Sequence, residues 1–398
     1  MTSAARHGHM PMYRASSMKQ IKIAFTHNAL SNRGGAERKL LLIAQHLKHL
    51  PGVEVTIFVN EYMPEKTFSE YLAGLNIIEV RPRGLVSKFF TFFKIGYLTK
   101  DFHLIHAHNH PAHIPAVISK LIRRKPVLWF DNEPLLYLEG TRDRERDIKR
   151  IKLWFVMVLE RMVLPWIDLI VANSRNTQSA IRRFFNRESE LIYSGVDTDQ
   201  LRPAPRMQRS KIKISTVSRF EKAKNIDFIL RMAAILNQYD FVIAGNGSEE
   251  TQMRNIIQER NLTNVTLLVA ISEKKKIELL QESDIFVFPT LNEPLGINVV
   301  EAMSCGTPVV AFNSGGARET VVNDETGFLV DTEQEFIKKV VTLAGNPALR
   351  ISMGKASRRR AVDLFSLEGM IDKTLRCYDR LLKQYGYEFR FITTHRKL

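Results

Sequence analysis

The chain has 398 residues, 44% of them apolar, with two cysteines and a formal charge of +16. That is material for two or three packed domains and excludes a disordered chain. The distant pair Cys305 and Cys377 excludes a disulfide framework or a cysteine metal cluster and fits a reduced, cytoplasmic setting.

Residues 1–18 read as a polar arm without the apolar run of a signal peptide, with Met18 a candidate start. Strands are expected at Ile21–His27, Val53–Asn60, Leu104–Ala107, Val127–Phe130 and Leu169–Ala172, with a helix over Ala36–Leu50. Leu153–Ala172 is the longest apolar stretch, but Glu160, Arg161, Pro165 and Asp168 break it, so it is not read as a membrane span. Ser194–Ser210 carries Gly195, Pro203 and Pro205 among polar residues, which is linker chemistry. The strand pattern then restarts at Lys211–Ser218, Asp240–Ala244, Val265–Val269, Ile285–Pro289 and Pro308–Phe312.

Strands alternating with helices imply α/β domains with doubly wound parallel sheets. The expected organisation is a first Rossmann-like domain over 19–194, a linker over 195–209, a second over 210–365, and a helical tail over 366–398 that packs back on the first. Ligands of such sheets sit outside the carboxyl ends of the strands, so the loops there carry the candidates, and the cleft between facing domains is the expected site.

Five loops stand out. Asn32–Glu37 holds Gly34 and Gly35 between a strand and a helix, either an anion site at a helix N-terminus or a tight turn. Ser218–Asn225 carries Arg219 and Lys224, either a grip on a diphosphate or a solvated basic turn. Ala244–Ser248 carries Gly245 and Gly247, which let a nucleotide lie close to backbone or serve as a structural turn. Asn313–Glu319 brings another glycine pair. The fourth in chain order, Glu293-Pro-Leu-Gly-Ile-Asn-Val-Val-Glu301, places two carboxylates eight positions apart. Fully helical spacing would separate them by about 12 Å, against about 5 Å in a retaining glycosidase. They are therefore expected to touch different parts of one extended ligand, Glu293 from a loop and Glu301 from a helix. In the first half, His106, His108 and His110 cluster at a strand end, and no acidic or cysteine motif accompanies them, so a cleft histidine is preferred over a metal site.

Together these stretches resemble the retaining family 4 glycosyltransferases of GT-B fold (the glycosyl transferases group 1), mannosyltransferase-like members included. The resemblance runs from Gly34-Gly-Ala-Glu37 through Tyr193-Ser-Gly-Val-Asp197 to Gly327-Phe-Leu-Val330, and Glu293–Val310 is its most specific part. It implies that Gly34 and Gly35 lie near the donor diphosphate and the acceptor. Arg219 and Lys224 would grip the diphosphate, Glu293 the transferred sugar, Gly296 and the backbone after it sugar and phosphate, and Glu301 the ribose. His108 matches the first-domain histidine near the reacting sugar, with His110 as the alternative. Asn225 stands where the family usually has glycine, and Ser194 where it has Asn or Pro. The resemblance implies transfer without a protein nucleophile, cofactor or metal, from a nucleotide-sugar (GDP-mannose before UDP-sugars) to a lipid-linked or oligosaccharide acceptor.

Residues 1–200 hold 29 Lys and Arg against 19 Asp and Glu, a net of +10. Arg81–Lys100 mixes four Phe with five basic residues, and on a helix Leu85, Phe89, Phe92 and Phe93 share a face. That face either packs on the sheet or meets an anionic membrane surface, with the enzyme peripheral to the cytosolic leaflet. Asp131–Pro134 is a candidate acceptor-pocket segment. A GT-B epimerase or phosphorylase is the neighbouring alternative, and a basic nucleic-acid-binding protein the distant one. Scattered basic residues without a binding motif speak against nucleic acid.

Overall fold

The computed structural model describes residues 14–15, 20–82, 85–134, 158–205, 210–388 and 391–392. Met18 and most of the N-terminal arm, positions 206–209 of the expected linker and positions 153–157 of the long apolar stretch lie outside them. Contacts divide the chain into two compact units, Met1–Tyr193 with Met370–Leu398, and Ser194–Gly369. No described helix is long and apolar enough to cross a membrane.

The first unit holds seven parallel strands: β1 (Ile21–Leu30), β2 (Val53–Tyr62), β3 (Asn76–Glu79), β4 (Leu104–His108), β5 (Val127–Asp131), β6 (Leu169–Ala172) and β7 (Glu190–Leu191). Their order is β3-β2-β1-β4-β5-β6-β7. Its described helices include α1 (Gly35–Lys48), α2 (Leu85–Leu98), α3 (His113–Arg123) and α4 (Arg175–Phe185). The second unit holds β8 (Lys213–Arg219), β9 (Asp240–Asn246), β10 (Val265–Val269), β11 (Ile285–Phe288), β12 (Val309–Phe312) and β13 (Gly327–Val330), in the order β10-β9-β8-β11-β12-β13, all parallel. Its helices are α5 (Ile226–Ile235), α6 (Glu250–Glu259), α7 (Glu273–Glu282), α8 (Ile297–Ser304), α9 (Ala317–Thr320), α10 (Glu333–Gly345) and α11 (Pro347–Phe365). A last helix, α12 (Leu367–Gln384), follows.

Both sheets thus have the strand order of a dinucleotide-binding domain, and each reverses direction beside its first strand. In the first unit the reversal lies between β1 and β4, in the second between β8 and β11. The central strands are buried on both faces and therefore read as continuous apolar runs, as in Val309–Phe312. Side-chain caps start several helices: Ser174, Ser272, Thr332 and Asn346 accept from the backbone three residues on. Phe228, Phe312 and Phe336 form an aromatic centre in the second core.

Three strands, β3, β7 and β13, were not expected as such; they are edge or near-edge strands of two to four residues, too short to show a period. The first part of the segment read as a linker is instead tied into the second unit. Val196 pairs with Phe365 and Leu367 through backbone hydrogen bonds of 2.9 and 2.8 Å. Arg358 donates to the carbonyls of Thr198, Leu201 and Ser304. A Cβ on Gly195 would stand 2.6 Å from the Ser366 carbonyl oxygen, so glycine is there for close approach. From Met370 onward α12 belongs to the first unit. The Tyr378 hydroxyl meets His106 Nδ1 at 2.5 Å, and the Tyr385 hydroxyl donates to Asp168 at 2.8 Å.

Candidate donor and acceptor sites

The second unit gathers its candidates at its own switch point. β8 ends in Arg219, and the chain turns through Lys222–Lys224 into α5. Across the reversal, β11 runs into the loop Pro289–Gly296 that starts α8. Lys224 Nζ lies 2.5 Å from Glu293 Oε2, with the lysine side chain only 12% exposed. The Glu293 loop is braced from behind by the loop after β12. The Gly316 N–H donates to the Glu293 carbonyl (2.7 Å), and Ser314 Oγ accepts from the Asn292 N–H (3.0 Å). A Cβ on Gly315 or Gly316 would meet that loop's backbone at 2.5 or 2.3 Å. The glycine pair of Asn313–Glu319 therefore positions Glu293, a role its sequence did not disclose.

Gly296 takes φ +81, which favours glycine, and caps α8. Asn298, in the first turn, donates to the Val217 carbonyl at 2.7 Å and pins α8 to β8 across the reversal. Glu301 is fully buried within α8, five residues past the Gly296 cap. Lys276 of α7 reaches its Oε1 at 2.8 Å and Glu273 at 3.0 Å. Lys276 was missed because it sits in a Lys274–Lys276 run that reads as a solvated face. Arg219 joins neither carboxylate. It pairs with Glu221 at 2.8 Å, its side chain 62% exposed, which matches the solvated alternative for this turn. Gly245 and Gly247 serve close packing: a Cβ on either would stand 1.8 Å from Ser218 O or 2.4 Å from Phe220 O. They hold the β8 and β9 loops together and so set where Arg219 starts.

In the first unit, Gly34 caps α1 and Gly35 is its first residue, at the carboxyl end of β1. Gly34 has φ −94, so it is not there for a left-handed turn; a Cβ would meet the ends of two side chains, Glu37 at 2.2 Å and Asn32 at 3.0 Å. His108 ends β4 at the switch point, as expected, but its ring is wholly buried. It lies edge-on to His27 and beside Phe130, and Asn132 faces its Nε2 at 3.2 Å. Burial holds His108 well below the ordinary imidazole range; His106, His27 and Lys39 add to that, and the Ala36 carbonyl opposes it. His108 is thus a neutral ring inside the first unit, not one lining an open surface. The His110 ring is largely buried as well, its side chain 7% exposed. Its Nδ1 lies 3.0 Å from Glu160 Oε1, and His113 Nε2 lies 3.0 Å from Glu160 Oε2. The sequence showed no acid near these histidines; the fold brings one from fifty residues downstream in His110's case. Among the described residues this is the group whose donor atoms come within 4.8 Å of one another as metal ligands must. Each carboxylate oxygen is instead directed at one imidazole. In the expected acceptor segment, Asp131 and Asn132 are buried, and burial pushes Asp131 up to about 7. Burial, with Glu301 and Glu190 nearby, pushes the Cys305 and Cys377 thiols up to about 12, so neither is a nucleophile.

The aromatic segment is helical, but its exposed face differs from the expected one. Phe90 is 65% exposed, Phe93 48% and Tyr97 58%, with Leu98 beside them. Thr91, Ile95 and Thr99 are buried, and Phe92 is half-buried. The side chains of Leu85 and Phe89 lie outside the described residues. A Cβ on Gly96 would meet Ile118 at 2.6 Å and the Pro115 carbonyl at 2.9 Å, so the small residues mark where α2 crosses α3 closely.

Two α/β units with nucleotide-type switch points, one of them carrying a lysine–glutamate pair against a glycine-capped helix, have the plan of a GT-B glycosyltransferase. The sequence profile described as Glycosyltransferase Family 4 matches residues 33–200, and that of Glycosyl transferases group 1 matches 197–360. The chain is a glycosyltransferase acting with a nucleotide-sugar donor. It is 26% identical to the alpha-1,3/1,6-mannosyltransferase ALG2 of Homo sapiens over 92% of this chain and 97% of that one. It is 27% identical to the D-inositol 3-phosphate glycosyltransferase of Rhodococcus jostii over 57% of this chain and 56% of that one. Among solved structures, Anabaena HepE in complex with UDP and glucose superposes with a TM-score of 0.76 at 19% identity, covering 90% of this chain and 99% of that one. Sucrose-phosphate synthase from Thermosynechococcus elongatus gives 0.76 at 20% identity, covering 92% and 100%.

Proposed function

We propose that this enzyme moves a mannosyl residue, with retention and without a metal, from a nucleotide-linked mannose to a lipid-linked or oligosaccharide acceptor. The observation that carries the reading is the Lys224–Glu293 pair at the second switch point. Mannose comes from the activity of the alpha-1,3/1,6-mannosyltransferase relatives. GDP is the favoured carrier and UDP the alternative, UDP being the nucleotide that HepE binds.

In this reading Lys224 neutralises the charge that develops on the diphosphate as the anomeric C–O bond breaks, and Arg219 swings from Glu221 to join it. The acceptor oxygen bonds the anomeric carbon on the face the diphosphate leaves, and its proton passes to a phosphate oxygen. Glu293, its backbone fixed by Gly316, accepts from the sugar hydroxyls. Glu301 accepts from the ribose once the flexible Lys276 side chain moves aside. Gly296, Gly245 and Gly247 leave backbone within reach of the donor. Gly34 and Gly35 supply N–H groups at the start of α1, and His108 supports that end from below.

A thermal-shift panel of GDP-, UDP- and ADP-sugars tests the donor reading. One nucleotide should raise the melting temperature by mass action, and Glu301→Ala should lose that shift; a fully retained shift removes Glu301 from the ribose.

The enzyme also works against an anionic membrane. Phe90, Phe93, Tyr97 and Leu98 are exposed on α2 beside exposed Lys94, and α3, which α2 crosses at Gly96, carries exposed Leu121, Ile122 and Arg123 and ends at exposed Arg124. Aromatic and basic groups so mixed suit a headgroup region, each cation adding about 1 kcal/mol near an anionic surface. The double variant Phe90→Glu/Phe93→Glu should bind phosphatidylglycerol vesicles at least tenfold more weakly at low salt, with the melting temperature kept. Equal binding by variant and parent would exclude this face.

A further inference from the structure

An ammonium is buried in the first unit where the donor chemistry has no use for it. Lys39 of α1 is 3% exposed, and its Nζ donates to Asn132 Oδ1 at 3.2 Å and lies 4.5 Å above the Phe130 ring. Asn132, just after β5, donates from Nδ2 to Asn109 Oδ1 at 2.6 Å. The same Nδ2 faces His108 Nε2 at 3.2 Å.

The polarity of this network follows from what each group offers. A side-chain amide has a donor end and an acceptor end, and Asn132 and Asn109 together could point either way. A lysine ammonium differs: with three N–H groups and no lone pair it can only donate. Asn132 must therefore turn Oδ1 to Lys39, which sends Nδ2 towards His108 and Asn109. An N–H aimed at Nε2 requires a lone pair there, so the ring proton sits on Nδ1.

We propose that Lys39 is a positioning residue for His108, fixing it through Asn132 as the Nδ1–H tautomer with Nε2 accepting. Other observations agree. Burial keeps His108 neutral, so the network selects a tautomer and not a charge on the ring; burial also pushes Lys39 down to about 7, so the donor-only ammonium is held below that pH. The histidine ends β4 at the switch point and Asn132 follows β5, so the two are held at the carboxyl rim of the sheet. Among the described residues no carboxylate forms an ion pair with Lys39. A cation kept there without a counter-charge is costly, which a role in orienting its neighbour explains. The consequence for transfer rests on the proposed place of His108; the tautomer does not.

The test is the long-range 1H–15N spectrum of the full chain labelled at histidine nitrogen, with His108 assigned by its loss in His108→Gln. Below about pH 7, where Lys39 is charged, the parent should show the Nδ1–H pattern. Lys39→Met, which leaves Asn132 without a fixed sense, should populate the Nε2–H form, and Asn132→Asp, which has no donor, should convert the ring to it. Lys39→Gln restores an ambiguous partner and serves if the methionine variant does not fold. Lys39→Arg, again donors only, should return the parent pattern. An Nε2–H parent, or a pure Nδ1–H ring in both Lys39→Met and Lys39→Gln, would overturn the proposal. kcat should fall several-fold in Lys39→Met with KM for the nucleotide-sugar unchanged. A switched tautomer with unaltered kcat leaves the positioning established and removes His108 from the reaction instead.

Discussion

Replacing Lys224 with methionine should lower kcat/KM for sugar transfer by about 10²–10³-fold, the usual loss when one donor to a developing oxyanion is removed. Methionine keeps most of the side-chain volume, so packing in this largely buried position survives. What goes is the positive charge 2.5 Å from Glu293 Oε2. Glu293 then faces a diphosphate without the cation between them, and two negative groups repel. The loss should appear mainly in kcat, because charge on the diphosphate grows as its bond to the sugar breaks. Glu293→Gln should cost less on its own. The double variant should cost less than the sum of the two, since each removes the same pair. Nucleotide release with donor and acceptor at saturation is the measurement. A fall of less than about threefold would place Lys224 outside the transition-state contacts.

The second large effect is on stability. Glu160→Ala should destabilise the enzyme by about 3–5 kcal/mol in urea, because it leaves two buried imidazoles without their shared carboxylate. Burial pushes the Glu160 carboxyl up, but the charge of His113 and the hydrogen bonds and charge of both histidines outweigh it and bring it to about 2. The folded value is below the unfolded one. The stabilisation is therefore fully present above the ordinary glutamate range and is lost as pH falls towards about 2. That limb is worth about 3 kcal/mol. His110 behaves oppositely: burial lowers it, yet Glu160 and Asp131 leave it raised. Its share is present below the ordinary histidine range and lost as pH rises through the raised value. Glu160→Gln should flatten the acid limb. Stability curves of parent and variant that run parallel from pH 5 to 3 would contradict this.

The fold was legible because its strands are buried on both faces and read as apolar blocks separated by helices. The family was legible because Glu293–Val310 joins a loop acid, a glycine cap and a helical acid in one run. Other features depend on residues far apart in sequence. Glu160 meets His110 and His113 across about fifty positions of sequence, at the start of α3. Lys39 faced inward on a helix whose sequence gave a lysine no reason to be buried. The aromatic helix was misphased, since Phe lies on two of its faces and hydrophobicity could not choose between them. Its small residues could have chosen: Thr91 and Thr99 are buried, and Gly96 lies where α3 comes close. Arg219 and Lys224 look alike in the sequence, yet one is turned to solvent and the other buried against an acid, a difference made by side-chain direction alone.

Asn225 departs from the family's glycine, and its backbone shows why the exchange is tolerated. It takes φ +53, a conformation that asparagine adopts more readily than other side-chain-bearing residues. Its amide donates to the Pro289 carbonyl at 3.4 Å, on the strand end that leads to Glu293. A glycine there would roam more widely in the unfolded chain and surrender more freedom on folding. The turn carrying Lys224 is thus stiffened before any donor arrives, and part of the entropy of assembling the diphosphate grip is met during folding rather than at binding.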